Sequence, residues 1–154
     1  MPPPNSPPSA ERYAVVVAQW NRGVTDKLLS GALAAFAEAG VASQQIEVAH
    51  VPGAWEIPVV AQCLARSEKY SAVICLGAVI RGDTSHDQHI NRAVTLAMQQ
   101  IALETEIPVL LGLLTCDMME QALDRAGGKH GNKGAECAEA AVHMAALLKR
   151  LNES

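Results

Sequence analysis

Four short apolar runs, at residues 13–18, 46–51, 72–80 and 108–114, alternate along the chain with segments whose apolar residues recur at helical spacing. That alternation constrains the fold more than any other feature. Two parallel strands need a connection long enough to hold a helix, and such connections are right-handed. Strand–helix alternation therefore implies one parallel sheet with helices on both faces. The expected class is α/β, a three-layer sandwich around a four-stranded parallel sheet. The side chains agree with it. Hydrophobic residues make up 49% of the chain but aromatic residues only 3%, so Ala, Val, Leu and Ile must fill the layers, which suits helices packed closely on a sheet. A length of 154 residues is enough for one domain with a full core.

Residues 1–12, rich in proline from Pro2 to Pro8, read as a flexible arm, because proline cannot donate to a regular ladder. Residues 13–154 read as a single domain. After the first run, Thr25 or a neighbour is expected to cap a helix with Leu29, Leu33 and Phe36 on its buried face and Gly40 at its C′ position. A second helix is expected over 58–67, with Pro58 in its first turn. A third begins near His86 and carries Ile90, Val94, Met98 and Ile101 to about residue 105. Asp117 with Glu120 resembles an acidic capping box for a short helix. Gly127-Gly-Lys-His-Gly-Asn-Lys-Gly134 then interrupts the pattern. The last helix has Ala138, Val142, Ala145 and Leu148 on one face.

A formal net charge of −4 argues against a nucleic-acid surface. No apolar run approaches a membrane span, and no basic start with an apolar stretch suggests a signal peptide. Cys63, Cys75, Cys116 and Cys137 show no C-x-x-C spacing and read as buried thiols in a reducing compartment, here the cytoplasm.

Ligands of open parallel sheets bind beyond the carboxyl ends of the strands, near the switch in strand order. Each such end is unusual here. The first carries Trp20 and Asn21, the second Gly53, Ala54, Trp55 and Glu56. The third ends in Ala78, Val79 and Ile80, followed by Gly82, Asp83, Thr84 and His86; the fourth includes Leu111. Trp20 and Trp55 offer flat apolar faces for a planar ring, and equally suit covers over helix edges. Gly82, Asp83 and Thr84 lead into a helix, where backbone N–H groups and the dipole favour a phosphate. Asp83 opposes that charge unless a cation stands nearby, for which Arg125, Lys129 and Lys133 are candidates; the same three also suit a basic surface loop. His86 in the first turn of the helix is the general acid/base candidate, since imidazole titrates near neutrality. His86 and His89 are spaced for one helix face, but no third ligand group accompanies them, so no metal is expected.

Three segments carry a resemblance. Val51-Pro-Gly-Ala-Trp-Glu-Ile-Pro58, Gly77-Ala-Val-Ile-Arg-Gly-Asp-Thr-Ser-His86 and Arg125-Ala-Gly-Gly-Lys-His-Gly-Asn-Lys-Gly134 resemble the signature segments of 6,7-dimethyl-8-ribityllumazine synthases, in order and in register from about Tyr13 to Leu151. The resemblance implies a flavodoxin-like fold and the penultimate step of riboflavin biosynthesis. There, 5-amino-6-(D-ribitylamino)uracil condenses with 3,4-dihydroxy-2-butanone 4-phosphate, without cofactor or metal. It implies Trp20 and Asn21 at the pyrimidine, and Gly53, Ala54, Trp55 and Glu56 along the ribityl chain. Ala78, Val79 and Ile80 would meet the ring, with Leu111 on its wall and Lys133 near the substrate. Gly82, Asp83, Thr84 and Arg125 would hold the phosphate, and His86 would transfer protons. Leu111 replaces a common aromatic residue of the family, Trp20 stands where phenylalanine is usual, and His86-Asp-Gln-His89 departs from the commoner form.

The resemblance further implies a homopentamer with sites between subunits, Arg125 and Lys133 coming from the neighbour. In some members twelve pentamers form a 60-subunit shell, and the turn at 127–134, without an insertion, resembles those members; riboflavin synthase is the partner such a shell would enclose. The rival classes are a flavodoxin-like binding module without chemistry and a lumazine synthase that has lost its activity.

Overall fold

The computed structural model describes residues 11–81 and 86–153. Its main sheet consists of β1 (Tyr13–Ala18), β2 (Ile46–Val51), β3 (Ala72–Ile80) and β4 (Val109–Cys116), all parallel, in the order β2-β1-β3-β4. The intervening segments form α1 (Arg22–Glu38), α2 (Ile57–Arg66), α3 (His86–Thr105), α4 (Met119–Asp124) and α5 (Lys133–Asn152).

Alternation along the central strands sorts the core into two layers. On one face Tyr13, Val15 and Val17 of β1 and Ile74, Leu76 and Ala78 of β3 meet Val24, Leu28 and Phe36 of α1 and Cys137, Ala138 and Ala141 of α5. On the other, Ala14, Val16, Ala18, Val73 and Cys75 meet Ile57, Ala61 and Ala65 of α2 and Val94, Met98 and Ile101 of α3. The expected three-layer sandwich is thus the observed one, and it is flavodoxin-like. Alanine recurs on the sheet-facing stripes of α2 and α5, as the low aromatic content implied.

Several local expectations need correction. The helix α1 starts three residues before Thr25 and turns its face by one position. Asn21 occupies the left-handed region at φ 65° and ψ 46°, and its carbonyl accepts the N–H groups of Val24 at 2.9 Å and Thr25 at 3.0 Å. Thr25 therefore lies inside the first turn, fully buried, and among the described residues its Oγ1 has no hydrogen-bond partner. The buried face runs through Val24, Leu28, Ala32, Ala35 and Phe36; Leu33 is exposed. Phe36 lies on that face as expected and the partly buried Leu29 packs against the same core, but counting from Phe36 by fours reaches Leu28 through Ala32, an alanine that apolar size alone does not flag. Gly40 ends the helix as expected, at φ 85°, and the Val41 N–H closes back on the Phe36 carbonyl at 2.9 Å.

Asp117 does not cap α4. The Gln121 side chain reaches back instead, its Oε1 accepting the N–H groups of Asp117 at 2.9 Å and Met118 at 3.3 Å. Cys75, Cys116 and Cys137 are buried as expected, but Cys63 is exposed. The buried stripe of α2 is only Ile57, Ala61 and Ala65, and Cys63 falls away from it. Burial pushes the Cys137 thiol up to about 11 and the Cys75 thiol further in the same direction, so both stay protonated at neutral pH. The Gly-rich interruption contains an unforeseen hairpin, β5 (Ala126–Gly128) against β6 (Gly131–Asn132).

Residues 1–10 of the proline-rich arm lie outside the described residues. Glu11 and Arg12 are tied to the sheet's amino end. The Glu11 carboxylate accepts from the Ser71 hydroxyl and stands 3.7 Å from Lys149 Nζ. The Arg12 carbonyl accepts the Ser71 N–H at 2.7 Å. Among the described residues no helix is long and apolar enough to cross a membrane.

The face assignment of α1 is measurable. Phe36→Ala is expected to cost about 3–5 kcal/mol in urea unfolding, the usual range for emptying a large aromatic site. Leu33→Ala should change stability by no more than about 0.5 kcal/mol. Equal losses would mean that the helix presents the other face.

Candidate active site

Strand order locates the switch. From β1 the chain crosses to β2 on one side, then returns past β1 to β3 on the other. In such sheets the ligand crevice lies beside the point where strand order reverses, here between the carboxyl ends of β1 and β3. The β1–β3 ladder runs only from the Tyr13↔Ala72 pair to the Val17↔Leu76 pair, whereas the β3–β4 ladder continues to Ile80↔Cys116. Ala78, Val79 and Ile80 therefore overhang β1, held on the β4 side alone.

One side chain crosses that gap. The Asn21 amide donates to the Ala78 carbonyl at 2.8 Å. The N–H and C=O of one strand residue point to the same neighbour and those of the next residue to the other, and the Arg81 N–H continues the β4 side by donating to the Cys116 carbonyl at 2.8 Å. By that alternation the N–H and C=O of Ile80 face the β1 side, a donor and an acceptor beyond the end of the β1–β3 ladder.

The loop after β1 is also stitched to the loop after β2. The Gln19 N–H donates to the Val51 carbonyl at 2.8 Å, and the Trp20 N–H to that of Pro52 at 2.9 Å. Trp20, 64% exposed, lies over Gly53: a Cβ there would stand 2.5 Å from Trp20 Cε3. Absence of a side chain at residue 53 is what seats the indole. Glu56 turns back within its own short 3-10 turn, Oε1 accepting the Gly53 N–H at 2.9 Å; among the described residues Oε2 accepts no hydrogen bond and remains for a hydroxyl. Trp55 points elsewhere. It lines an apolar groove of about 300 Å³ with Pro58, Val59, Ala93, Val94 and Ala97, between α2 and α3.

His86 is the first residue of α3 and is exposed. Gly82, Asp83 and Thr84 lie outside the described residues. A second set of candidates sits across the sheet. Leu111 is 45% exposed on β4, which is an edge strand. Arg125 and Lys133 line a cleft of about 330 Å³ with Leu113, Leu114, Thr115, His130 and Glu136. The hairpin joins the two cations, since the Lys133 N–H donates to the Arg125 carbonyl at 2.8 Å. Among the described residues, none assigned to the ends of β1 and β3 lines this cleft. Within one chain the candidates fall into two groups, one at the ends of β1, β2 and β3 and one between β4 and the start of α5.

Comparison with known proteins settles the family. The family model for 6,7-dimethyl-8-ribityllumazine synthase matches residues 10–149. The chain belongs to this family. Proteins named 6,7-dimethyl-8-ribityllumazine synthase from the CbuG_Q212 and RSA 493 / Nine Mile phase I strains of Coxiella burnetii are each 51% identical to it over 143 residues. The counterpart from the Dugway 5J108-111 strain is 50% identical. Each alignment covers 93% of this chain and 95% of the relative.

Two further residues, His130 and Glu136, line the cleft with Arg125 and Lys133. Glu136 stands three positions after Lys133 in the first turn of α5, a spacing that shares a helix face. His130 carried no usable pattern, because only the hairpin turns it into the cleft. Among the described residues no group of three or more His, Cys, Asp or Glu side chains could hold a metal ion.

The Asn21 bridge can be separated from its backbone strain. Asn21→Gly keeps the left-handed conformation and removes only the bond to Ala78, a loss of about 0.5–1.5 kcal/mol. Asn21→Ala removes both and should cost about 1–2 kcal/mol more. Equal losses in urea unfolding would show that residue 21 is not held at positive φ.

Proposed function

We propose that this chain forms 6,7-dimethyl-8-ribityllumazine from 5-amino-6-(D-ribitylamino)uracil and 3,4-dihydroxy-2-butanone 4-phosphate, the penultimate step of riboflavin biosynthesis. The observation that carries the reading is a family match running through nearly the whole chain, including all three segments that supply the two half-sites. The 5-amino nitrogen attacks the ketone carbon, and loss of water leaves an imine. Elimination of phosphate follows, and ring closure with loss of a second water gives the lumazine. One phosphate and two waters leave in all. Each step moves protons and none changes the net oxidation state, so two substrates and no cofactor suffice.

Trp20 stacks on the pyrimidine over Gly53, with Asn21 beside it. Ala78, Val79 and Ile80 meet the ring edge, with the backbone groups of Ala78 and Ile80 turned toward it, a role supported by the overhang of β3 beyond β1. Gly53, Ala54, Trp55 and Glu56 form the ribityl segment, with Glu56 Oε2 as hydroxyl acceptor. His86 transfers protons. Gly82, Asp83, Thr84 and Arg125 hold the phosphate, Arg125 offsetting Asp83; Leu111 forms the pocket wall and Lys133 approaches the substrate. Holding both reactants in register contributes up to roughly 7–11 kcal/mol to lowering the barrier. General acid/base transfer by His86 adds a smaller factor, about 10²–10⁴.

A complete site takes both groups as its half-sites, and among the described residues none assigned to the crevice lines the β4–α5 cleft. The reading therefore includes a homopentamer of cytoplasmic subunits in which the β4–α5 cleft of one faces the β1–β3 crevice of the next. A 60-subunit shell of twelve pentamers, with riboflavin synthase as its enclosed partner, extends the same reading.

Supplying both substrates tests the activity directly, through the absorbance and fluorescence of the lumazine. His86→Ala should slow turnover by about 10²–10⁴ with substrate binding largely kept, and Arg125→Ala should raise KM for the butanone phosphate. Well-folded, assembled protein that makes no lumazine would sink the enzymatic reading in favour of a binding module. Sedimentation at micromolar concentration tests the assembly: a pentamer or larger particle is expected, and a pure monomer would remove the intersubunit site.

A further inference from the structure

One side chain stands behind the basic half-site and joins it to a distant helix. Asn132 is the N-cap of α5. Its Oδ1 accepts the Ala135 N–H at 3.1 Å, an ordinary capping bond. Its Nδ2 donates to the Lys27 carbonyl of α1 at 3.0 Å, across 105 positions of sequence. A cap needs only the first of these contacts.

The surface of α1 is shaped for the second. A Cβ at Gly31 would fall within the Asn132 carboxamide, and a Cβ at Gly134 would fall on the Leu28 carbonyl oxygen. Two absent side chains on two helices thus create a socket that the carboxamide fills. Gly31 is otherwise an unfavourable choice for the interior of a helix, by about 1 kcal/mol against alanine. The socket fixes the first turn of α5, where Lys133 directly follows Asn132. The bond from the Lys133 N–H to the Arg125 carbonyl, at 2.8 Å, passes the constraint to Arg125. Arg125 has no helix of its own to hold it, being the residue that ends the six-residue α4.

We propose that Asn132 is a positioning residue: seated in the Gly31 socket of α1, its carboxamide sets where Arg125 and Lys133 stand in the β4–α5 cleft. This rests on the reading of Arg125 as a phosphate ligand. Asn132 touches no substrate. It acts by removing the freedom of a short hairpin and a one-residue link to which the two cations are attached, so that their charges converge before the phosphate arrives.

Asn132→Ser tests the idea, because serine keeps the capping oxygen but is too short to reach Lys27. The variant should fold and assemble as the parent does, judged by circular dichroism and sedimentation. Its KM for 3,4-dihydroxy-2-butanone 4-phosphate should rise between about tenfold and hundredfold, the scale of a misplacement of about an ångström. In an Arg125→Ala background the same change should raise this KM by less, since the phosphate ligand it positions is gone and only Lys133 remains to be placed. An unchanged KM in Asn132→Ser, or an effect that persists in full beside Arg125→Ala, overturns the inference. Should Asn132→Ser fail to fold, Gly31→Ala displaces the same carboxamide while favouring the helix, and the same rise in KM is required of it. If Arg125→Ala itself leaves KM unchanged, the phosphate assignment fails and this inference falls with it. A rise in Arg125→Ala without one in Asn132→Ser leaves that assignment standing and removes only the role of Asn132.

Discussion

The parallel ladder joining β1 to β3 is the constraint on which the rest of the structure depends. Parallel pairing sends every connection back across a face of the sheet, so both faces of β1 and β3 are covered and both strands are apolar throughout. It also gathers the loops that follow the strands at one end. Because the ladder stops at Val17 and Leu76 while β3 continues to Ile80, that end has a step in it. Backbone groups that would otherwise be consumed in pairing are left at the step, and Asn21 reaches across to the Ala78 carbonyl. The free backbone groups at the end of β3 follow from a ladder that is shorter than the strand it holds.

The second half-site rests on a different physical basis. No sheet ladder reaches the loop between α4 and α5, and its hairpin pairs only Ala126 with Asn132 and Gly128 with Gly131. Order there comes from side-chain and glycine contacts with α1: Asn132 on Lys27, the Gly31 socket, and Gly134 against Leu28. Such contacts carry less energy than a core strand but high geometric specificity. Exposed ion pairs contribute little beside them. Arg81 and Asp117, 3.6 Å apart and both largely exposed, stabilise by about 1 kcal/mol at most.

Element type was legible wherever a periodic apolar pattern was long. Strands β1, β2 and β3 begin and end where their apolar runs do, and β4 extends two residues beyond its expected end because β3 continues beside it to Ile80. Caps and helix faces were less legible, since small or polar residues decide them. Ala32 outranks Leu33 as a core contact only because it faces the sheet, and Gln121 rather than Glu120 reaches back at α4 because the cap position falls on Met118, one residue after Asp117.

By itself the sequence determined the α/β class, the core strands, the family, and the residue types that a phosphate, a planar ring and a proton transfer require. Those are consequences of composition and order along the chain. Only the tertiary structure decided that Trp55 turns into the α2–α3 groove, that His130 and Glu136 line one cleft with Arg125 and Lys133, and that Asn132 locks onto α1. Each of these depends on contacts between segments far apart in sequence. Lys27 and Asn132 share no local pattern, and only the packing of α5 on α1 brings them within a hydrogen bond.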